Sequence, residues 1–190
     1  MDDGVTAIPK HAFRNVTALE EVVLPETLTS ISVYAFDGCT GLKTIDLNQG
    51  LEMIDSYAFQ NCTSLTTAAA PETLKTIGHA AYVGCTGLRN LTLNSGLTNI
   101  GECAFQNCTG LKSITIPDTI TSISGYAFDG CTGLKEVNLP NGLTTICAYA
   151  FQNCTSLENI DIPDSVTTMA ADYFLFWKLL YNISIDIFGR

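Results

Sequence analysis

The chain has 190 residues, of which 46% are hydrophobic and 15% are charged. This composition excludes a disordered chain and a charge-rich coiled coil. Nine Lys and Arg against 19 Asp and Glu give a formal net charge of −10, which disfavours binding to nucleic acid or to an anionic membrane surface.

The beginning of the sequence, Met1 to Gly4, has neither a basic region nor an apolar stretch, so it predicts no signal peptide. A membrane-spanning helix needs about 18 or more apolar residues in a row. The richest window, residues 173–181, has half that length and contains Lys178, so no membrane span is predicted. The protein is therefore either intracellular or a segment or mature form without its export signal.

A 23-residue repeat accounts for nearly the whole sequence. An Ala-Phe pair, replaced once by Ala-Tyr, marks each unit, and its Ala is numbered position 0 of the unit. Position 4 is Cys in six units, position 7 is Leu in all seven, and positions 10, 12, 16 and 19 are mostly apolar. Columns kept over this many units indicate a stacked repeat array. The position 0 residues are Ala12, Ala35, Ala58, Ala81, Ala104, Ala127 and Ala150.

Both ends of the sequence fit the same grid. Val5 and Ile8 match positions 16 and 19 of a unit whose first half is missing. Residues 170–190 are interpreted as a degenerate eighth unit that caps the array, with Tyr173 at position 0 and Trp177 at position 4. We therefore predict a single array over residues 1–190, with about eight units and a partial unit at the N-terminus.

The spacing within one unit predicts its structure. Positions 9 to 11 alternate polar, apolar and polar, which is typical of a short strand that stacks in parallel on its copies, about 4.8 Å apart. Pro or Asn at position 13 ends this strand. The short segment around Ala-Phe is predicted to form one helical or 3₁₀ turn on the opposite side. Because one unit cannot bury a core alone, stability belongs to the stack.

The motif Ala-Phe-x-x-Cys-x-x-Leu-x-x-Ile-x-Leu-Pro-x-x-Leu-x-x-Ile resembles the leucine-rich repeats of the BspA-like class, also called the Treponema pallidum type. The match runs from Val5 to about Ile185. The resemblance implies a repeat solenoid, a leucine-rich-repeat horseshoe with one parallel sheet of short strands and turns, short helical segments or short strands on the other face. It also implies a surface or secreted protein of a bacterium or protozoan parasite that adheres to matrix proteins, host cells or microbes.

The cysteine columns and the two histidines offer no catalytic pattern. Six cysteines share position 4 and are predicted to be reduced and buried, whereas Cys103 and Cys147 lie outside the column and are expected to be the more reactive thiols. His11 and His79 are nearly three units apart, and we expect both to be solvated. There is no zinc-type cluster, nucleophile elbow or phosphate-binding loop. The sequence predicts no catalytic residue, metal or cofactor, and so no enzyme.

The exposed strand positions remain as the candidate site. Positions 9 and 11 are small, polar and mildly acidic, and four basic residues flank them at position 8: Lys43, Arg89, Lys112 and Lys135. This face is either a plain solvated surface or a broad, weak protein-binding surface that gains avidity from many copies. The candidate partner-binding residues are Thr44, Asp46, Thr67, Asn90, Thr92, Ser113, Thr115, Glu136, Asn138, Asn159 and Asp161.

Two functions and one further interaction are consistent with these observations. The first is a non-catalytic protein-binding module of a cell-surface or secreted adhesin that contacts host matrix proteins or other cells. The alternative is an intracellular or structural scaffold or spacer array without its own ligand, which suits the free thiols. Self-association through the aromatic C-terminal unit, which contains Phe176 and Trp177, is a third possibility.

Overall fold

The computed structural model describes residues 4–170. These residues form a β-solenoid of about seven turns, in which each turn is one 23-residue unit and all paired strands are parallel. The eighth unit predicted over residues 170–190, with Phe176 and Trp177, lies outside the described residues except for Ala170.

Three-residue strands form the first of two strand rows, at positions 9 to 11 as predicted. Neighbouring strands pair one unit apart, so that Thr44 lies opposite Glu21 and Asn138 opposite Thr115. The strands of this row are β2 (Glu21–Val23), β4 (Thr44–Asp46), β6 (Thr67–Ala69), β8 (Asn90–Thr92), β10 (Ser113–Thr115) and β12 (Glu136–Asn138). They pair into three two-stranded sheets, β2–β4, β6–β8 and β10–β12.

A second row of two-residue strands lies at positions 18 and 19, where the position 19 side chain enters the core. The short strands of this row are β1 (Ala7–Ile8), β3 (Ser30–Ile31), β5 (Met53–Ile54), β7 (Thr76–Ile77), β9 (Asn99–Ile100), β11 (Ser122–Ile123), β13 (Thr145–Ile146) and β14 (Thr168–Met169). They form a five-stranded parallel sheet, β1-β3-β5-β7-β9, followed by a three-stranded sheet, β11-β13-β14.

The Ala-Phe segments form consecutive turns rather than the predicted helical or 3₁₀ turn, and residues 4–170 contain no helix. Alternate N–H groups of each segment donate to carbonyls of the next unit, as from Phe36 N to Ala58 O at 2.7 Å and from Gly38 N to Gln60 O at 2.8 Å. Tyr34 and Gly38 have φ values of +57° and +72°. This left-handed backbone cannot continue a right-handed helix, so the hydrogen bonds between units alternate with turn bonds within a unit, such as that from Asp37 N to Tyr34 O at 3.3 Å.

The core is a set of side-chain columns that run along the array. The position 1 rings stack without interruption from Phe13 to Phe151, with centroid distances of 5.0–5.5 Å. Each position 4 thiol donates to a position 1 carbonyl of the preceding unit, as from Cys62 Sγ to Phe36 O at 3.2 Å. In the first unit Val16 replaces Cys and is 41% exposed. The columns therefore bind each unit to its neighbours.

Position 3 alternates between Asn and Gly from one unit to the next, and all seven residues have positive φ. A Cβ placed on Gly38 would lie 2.2 Å from the Oδ1 atom of Asn15, and the same holds for Gly130 and Asn107. The Asn side chain of one unit therefore occupies the space that glycine leaves open in the next. The array has a second period of two units on top of its 23-residue repeat.

Candidate functional site

The exposed face of the first strand row carries the eleven residues that the sequence singled out. All eleven are exposed. Nine lie in strands β4 to β12, and the parallel register places each beside its equivalent one unit away, as with Thr67 and Asn90 or Ser113 and Glu136. Asn159 and Asp161 flank the buried Ile160 in a segment that continues the row without strand pairing.

The alternation of the strands sets the orientation of this face. Within each strand the central residue packs on the core, and Ile45, Ala68, Ile114 and Val137 are each at most 7% exposed. The residues on either side of it therefore face solvent together. The result is a surface that consists mainly of hydroxyl, amide and carboxylate groups, with the exposed Val23 in β2 and without an aromatic anchor in strands β2 to β12.

Hydrogen bonds fix the side chains at one end of the face. The Asn138 amide donates to Thr115 Oγ1 at 3.3 Å and to Glu136 Oε1 at 3.1 Å. Next to this cluster is a shallow depression of about 380 Å³, lined by residues that include Glu158 and Asp161. It is open and polar, which suits contact with a partner's surface better than enclosure of a small molecule.

The basic residues at position 8 run along one side of the face. Lys43 Nζ pairs with Glu20 Oε2 at 2.7 Å, and both groups are exposed. Arg89, Lys112 and Lys135 are also exposed, and their side chains form no ion pair or hydrogen bond within residues 4–170. The sequence predicted this column of cations but not which of them is neutralised.

Aromatic and imidazole rings stack along a different edge of the array. The ring of Tyr34 lies 5.2 Å from that of His11 and 4.6 Å from that of Tyr57. His79 Nε2 shares a hydrogen bond of 2.9 Å with the Tyr57 hydroxyl, and its Nδ1 lies 3.9 Å from Glu102 Oε2. We expected a solvated His79; instead it is half-buried and bonded. The sequence gives one indication of this contact: Tyr57 and His79 lie in adjacent units, one and two residues before position 0.

The thiols carry no reactive pattern in the structure. All eight cysteines are free, and the six at position 4 are fully buried. Burial raises the pKa of the Cys39 thiol to about 11 and that of Cys131 to about 12. Partial burial and then the charges of Glu102 and Asp129 raise the pKa of Cys103. Because the thiolate is the nucleophile, Cys39, Cys103 and Cys131 are poor nucleophiles at neutral pH.

Residues 4–170 offer no cluster suited to a metal ion, because no three His, Cys, Asp or Glu side chains in this range are placed to hold one. The same stretch of the chain includes no helix that is long and apolar enough to cross a membrane.

Comparison with protein families identifies the repeat. The profile of the BspA type leucine rich repeat region matches residues 6–122 and 98–187, in six copies. No curated protein matches the chain.

Several solved structures share the fold. A leucine-rich repeat protein from Bacteroides ovatus is 30% identical with a TM-score of 0.84, and the match covers 95% of this chain and 45% of that one. The Treponema pallidum leucine-rich repeat protein is also 30% identical, with a TM-score of 0.79 and coverage of 97% and 82%. A leucine-rich cell surface protein from Faecalibacterium prausnitzii is 28% identical, with a TM-score of 0.62 and coverage of 96% and 56%. The chain thus spans less than half of the first of these proteins.

Proposed function

Because the chain belongs to the BspA-type leucine-rich repeat proteins, which generally bind proteins, we propose that it is a non-catalytic protein-binding module. The exposed face of the first strand row is the binding surface. The observation that carries this proposal is the register of that face, which aligns exposed polar side chains over successive units. A partner that contacts several units gains affinity from many weak contacts.

The setting of this binding is the cell surface or the extracellular space, and the module belongs to an adhesin that contacts matrix proteins or other cells. Support comes from the Faecalibacterium prausnitzii neighbour, which is described as a cell surface protein. The face lacks the Trp, Tyr and Arg anchors of a tight interface, apart from Arg89 at its side. This favours weak contacts repeated along the array.

A spacer or scaffold is the second candidate function, favoured by the thiols. Eight free cysteines suit a reducing compartment better than an oxidising one. In that case the array would separate or organise other domains and would have no ligand of its own.

Binding to immobilised partners tests the proposal. The purified chain is applied at physiological salt to a panel of extracellular matrix proteins and to whole cells. We expect saturable binding that weakens at least about tenfold in the variant Thr44→Ala/Asp46→Ala/Thr115→Ala/Asn138→Ala, because these four side chains lie on the proposed face. The measurement is surface plasmon resonance with matched thermal unfolding curves.

A matched variant at positions in or directly before the second strand row controls for loss of side chains in general. Glu52→Ala/Asn99→Ala/Thr121→Ala/Ser122→Ala also removes one acid and three neutral polar groups, all from exposed positions. It should bind as the unchanged chain does. Equal loss of binding in both variants would contradict the assignment of the binding surface to the first strand row. Binding to none of the proteins and cells would contradict the proposed function and favour the spacer.

A further inference from the structure

The cations at position 8 are concentrated in the middle of the array. Four of the nine Lys and Arg residues of the chain occupy this one column. Lys43 is neutralised by Glu20, and the other three occupy consecutive units. We call Arg89, Lys112 and Lys135 the basic stripe.

The side chains of the basic stripe are available to a ligand. All three residues are exposed, and their charged groups have no partner within residues 4–170. The Lys112 ammonium group extends over Gly133, one unit further along the array, which brings it towards Lys135. Three positive charges in consecutive units, none of them in an ion pair within residues 4–170, form an electrostatic attraction site on a protein with a net charge of −10.

The groups next to Arg89 and Lys112 are neutral hydrogen-bond donors, whereas Lys135 lies beside Glu136 and Glu158 at the end of the basic stripe. Beside Arg89 and Lys112 lie Asn90, Ser113 and Thr115, all exposed. The Thr115 oxygen accepts a hydrogen bond from the Asn138 amide, which leaves the Thr115 hydroxyl free to donate to a ligand. Cations combined with hydroxyl and amide donors are the groups that bind carboxylates.

Acidic groups bound the basic stripe at both ends of the face. Glu20, Glu21 and Asp46 occupy the first two units, Glu136 shares the unit of Lys135, and Glu158 and Asp161 occupy the unit after it. At a strand spacing of about 4.8 Å, three units span roughly 10 Å between the first and third strand. A ligand with two or three neighbouring anionic groups fits this length. A long polyanion would continue onto the acidic units and be repelled.

We infer that the basic stripe docks a short acidic segment, rich in Glu or Asp, of the protein partner. This inference rests on the proposed function and specifies the partner for one part of the same face. The chemistry that recognises the segment is charge pairing by Arg89, Lys112 and Lys135, with hydrogen bonds from Ser113 and Thr115. The acidic units on either side limit its length.

Fluorescence anisotropy of a labelled decapeptide of alternating Glu and Ser tests the inference. We expect saturable binding to the full chain that weakens as salt rises, and no binding of the matching Lys-Ser peptide. The variant Arg89→Gln/Lys112→Gln should raise the dissociation constant about 5- to 30-fold, since it removes two exposed charge pairs. The control Lys10→Gln/Lys75→Gln changes the net charge equally at exposed positions elsewhere and should leave the constant within about twofold.

Each outcome decides between the alternatives. No saturable binding of the Glu-Ser peptide, or an equal effect of both double variants, overturns the inference. Tighter binding of a sulfated oligosaccharide that the Arg89→Gln/Lys112→Gln variant abolishes would assign the basic stripe to a polysaccharide instead. If partner binding is lost in the four-residue face variant but kept in this double variant, the inference fails and the proposed function stands. If the peptide binds through the basic stripe while no protein or cell binds, the proposed function fails alone.

Discussion

The buried thiol of Cys131 shows how one side chain joins two units. It is fully buried and donates a hydrogen bond to Phe105 O at 3.2 Å, 26 residues earlier in the sequence. The buried site favours the neutral thiol over the thiolate and raises the pKa from the ordinary value of 9.0 to about 12. The folded state therefore holds this proton at pH values where the unfolded chain releases it.

Stability should fall in alkaline solution for this reason. Between pH 9.0 and about 12 the unfolded chain has lost the Cys131 proton while the folded chain keeps it, so the free energy of unfolding decreases as pH rises. Between these two pKa values the free energy of unfolding falls by about 1.4 kcal/mol per pH unit. Below pH 9.0 both states hold the proton, so the stability from this site is fully present. Urea unfolding of the chain and of Cys131→Ala at several pH values measures it. Between pH 9.0 and about 12, the free energy of unfolding of Cys131→Ala should fall by about 1.4 kcal/mol per pH unit less than that of the unchanged chain. If the free energies of unfolding of the two chains fall with the same slope, the mechanism is wrong.

At the scale of the element, the turn after strand β4 depends on Asn48. Its amide nitrogen donates to Glu26 O at 3.2 Å and to Leu28 O at 2.8 Å in the preceding unit, and the residue is 7% exposed. Its Oδ1 atom is buried and has no hydrogen-bond partner in the described part of the chain, residues 4–170. Two units later, Asn94 donates in the same way to Leu74 O at 3.1 Å, but its second acceptor is Pro71 O and its Oδ1 atom again has no partner within residues 4–170; the other units have Pro at this position. The amide nitrogen thus stabilises the turn, at the cost of an unsatisfied oxygen.

Replacing Asn48 by Asp should destabilise the array. A carboxylate would face two carbonyl oxygens in a buried site, and we expect a loss of about 3 kcal/mol in the free energy of unfolding at neutral pH. The protonated acid can donate to Leu28 O, so the folded state would raise the pKa of the new carboxyl group. Part of the stability should therefore return as pH falls through that raised pKa.

Chemical denaturation at neutral and acid pH measures both effects. The exposed Asn141, changed to Asp, provides the control, because it undergoes the same chemical change outside the core. It should alter stability by less than about 0.5 kcal/mol. A loss in Asn48→Asp that does not diminish in acid would show that the carbonyl contacts are not the cause.

The sequence predicts elements best where burial alternates along the strand. Period-two alternation identified strands such as Thr44–Asp46 and the face that they expose. It did not predict the turns around the Ala-Phe pairs, because the left-handed backbone falls on Tyr34 and Tyr57, which are not residue types that prefer it. The sequence also did not predict that Lys43 pairs with Glu20 or that His79 bonds to Tyr57. Such contacts depend on side-chain directions between units, and no periodicity within one unit encodes them.

At the scale of the whole molecule, the alternation of Asn and Gly at position 3 makes two units the natural module. Asn61 fills the space over Gly84, and Asn107 fills the space over Gly130. A unit with Gly therefore fits after a unit with Asn. If two successive units had Asn, the Cβ of the second Asn would lie about 2.4 Å from the Oδ1 atom of the first, as a Cβ on Gly84 would from Asn61 Oδ1.

Deletions of whole units test this module. Deleting residues 82–104 removes one unit and puts Asn107 directly after Asn61, whereas deleting residues 59–81 puts Gly84 after Gly38. Both leave the 23-residue frame intact. We expect the first deletion to cost about 1–3 kcal/mol more than the second, because it forces an overpacked contact. Urea unfolding of both variants, together with the two-unit deletion of residues 59–104, measures the difference.

The two-unit deletion keeps the alternation, since Asn107 then follows Gly38. It should unfold in a single transition whose denaturant dependence is reduced in proportion to its length. If the two single-unit deletions are equally stable, the alternation has no energetic role and the 23-residue unit is the true module.

The same alternation constrains how a gene for this protein can lengthen. Recombination between misaligned copies adds or removes whole units, and only an even number preserves the order of Asn and Gly. The segment Ala35–Leu42 recurs without change at Ala127–Leu134, and Ala58–Leu65 recurs at Ala150–Leu157. Both recurrences are 92 residues apart, which is four units. Selection for side-chain packing would thus retain genes that gain or lose an even number of units and eliminate those that gain or lose an odd number.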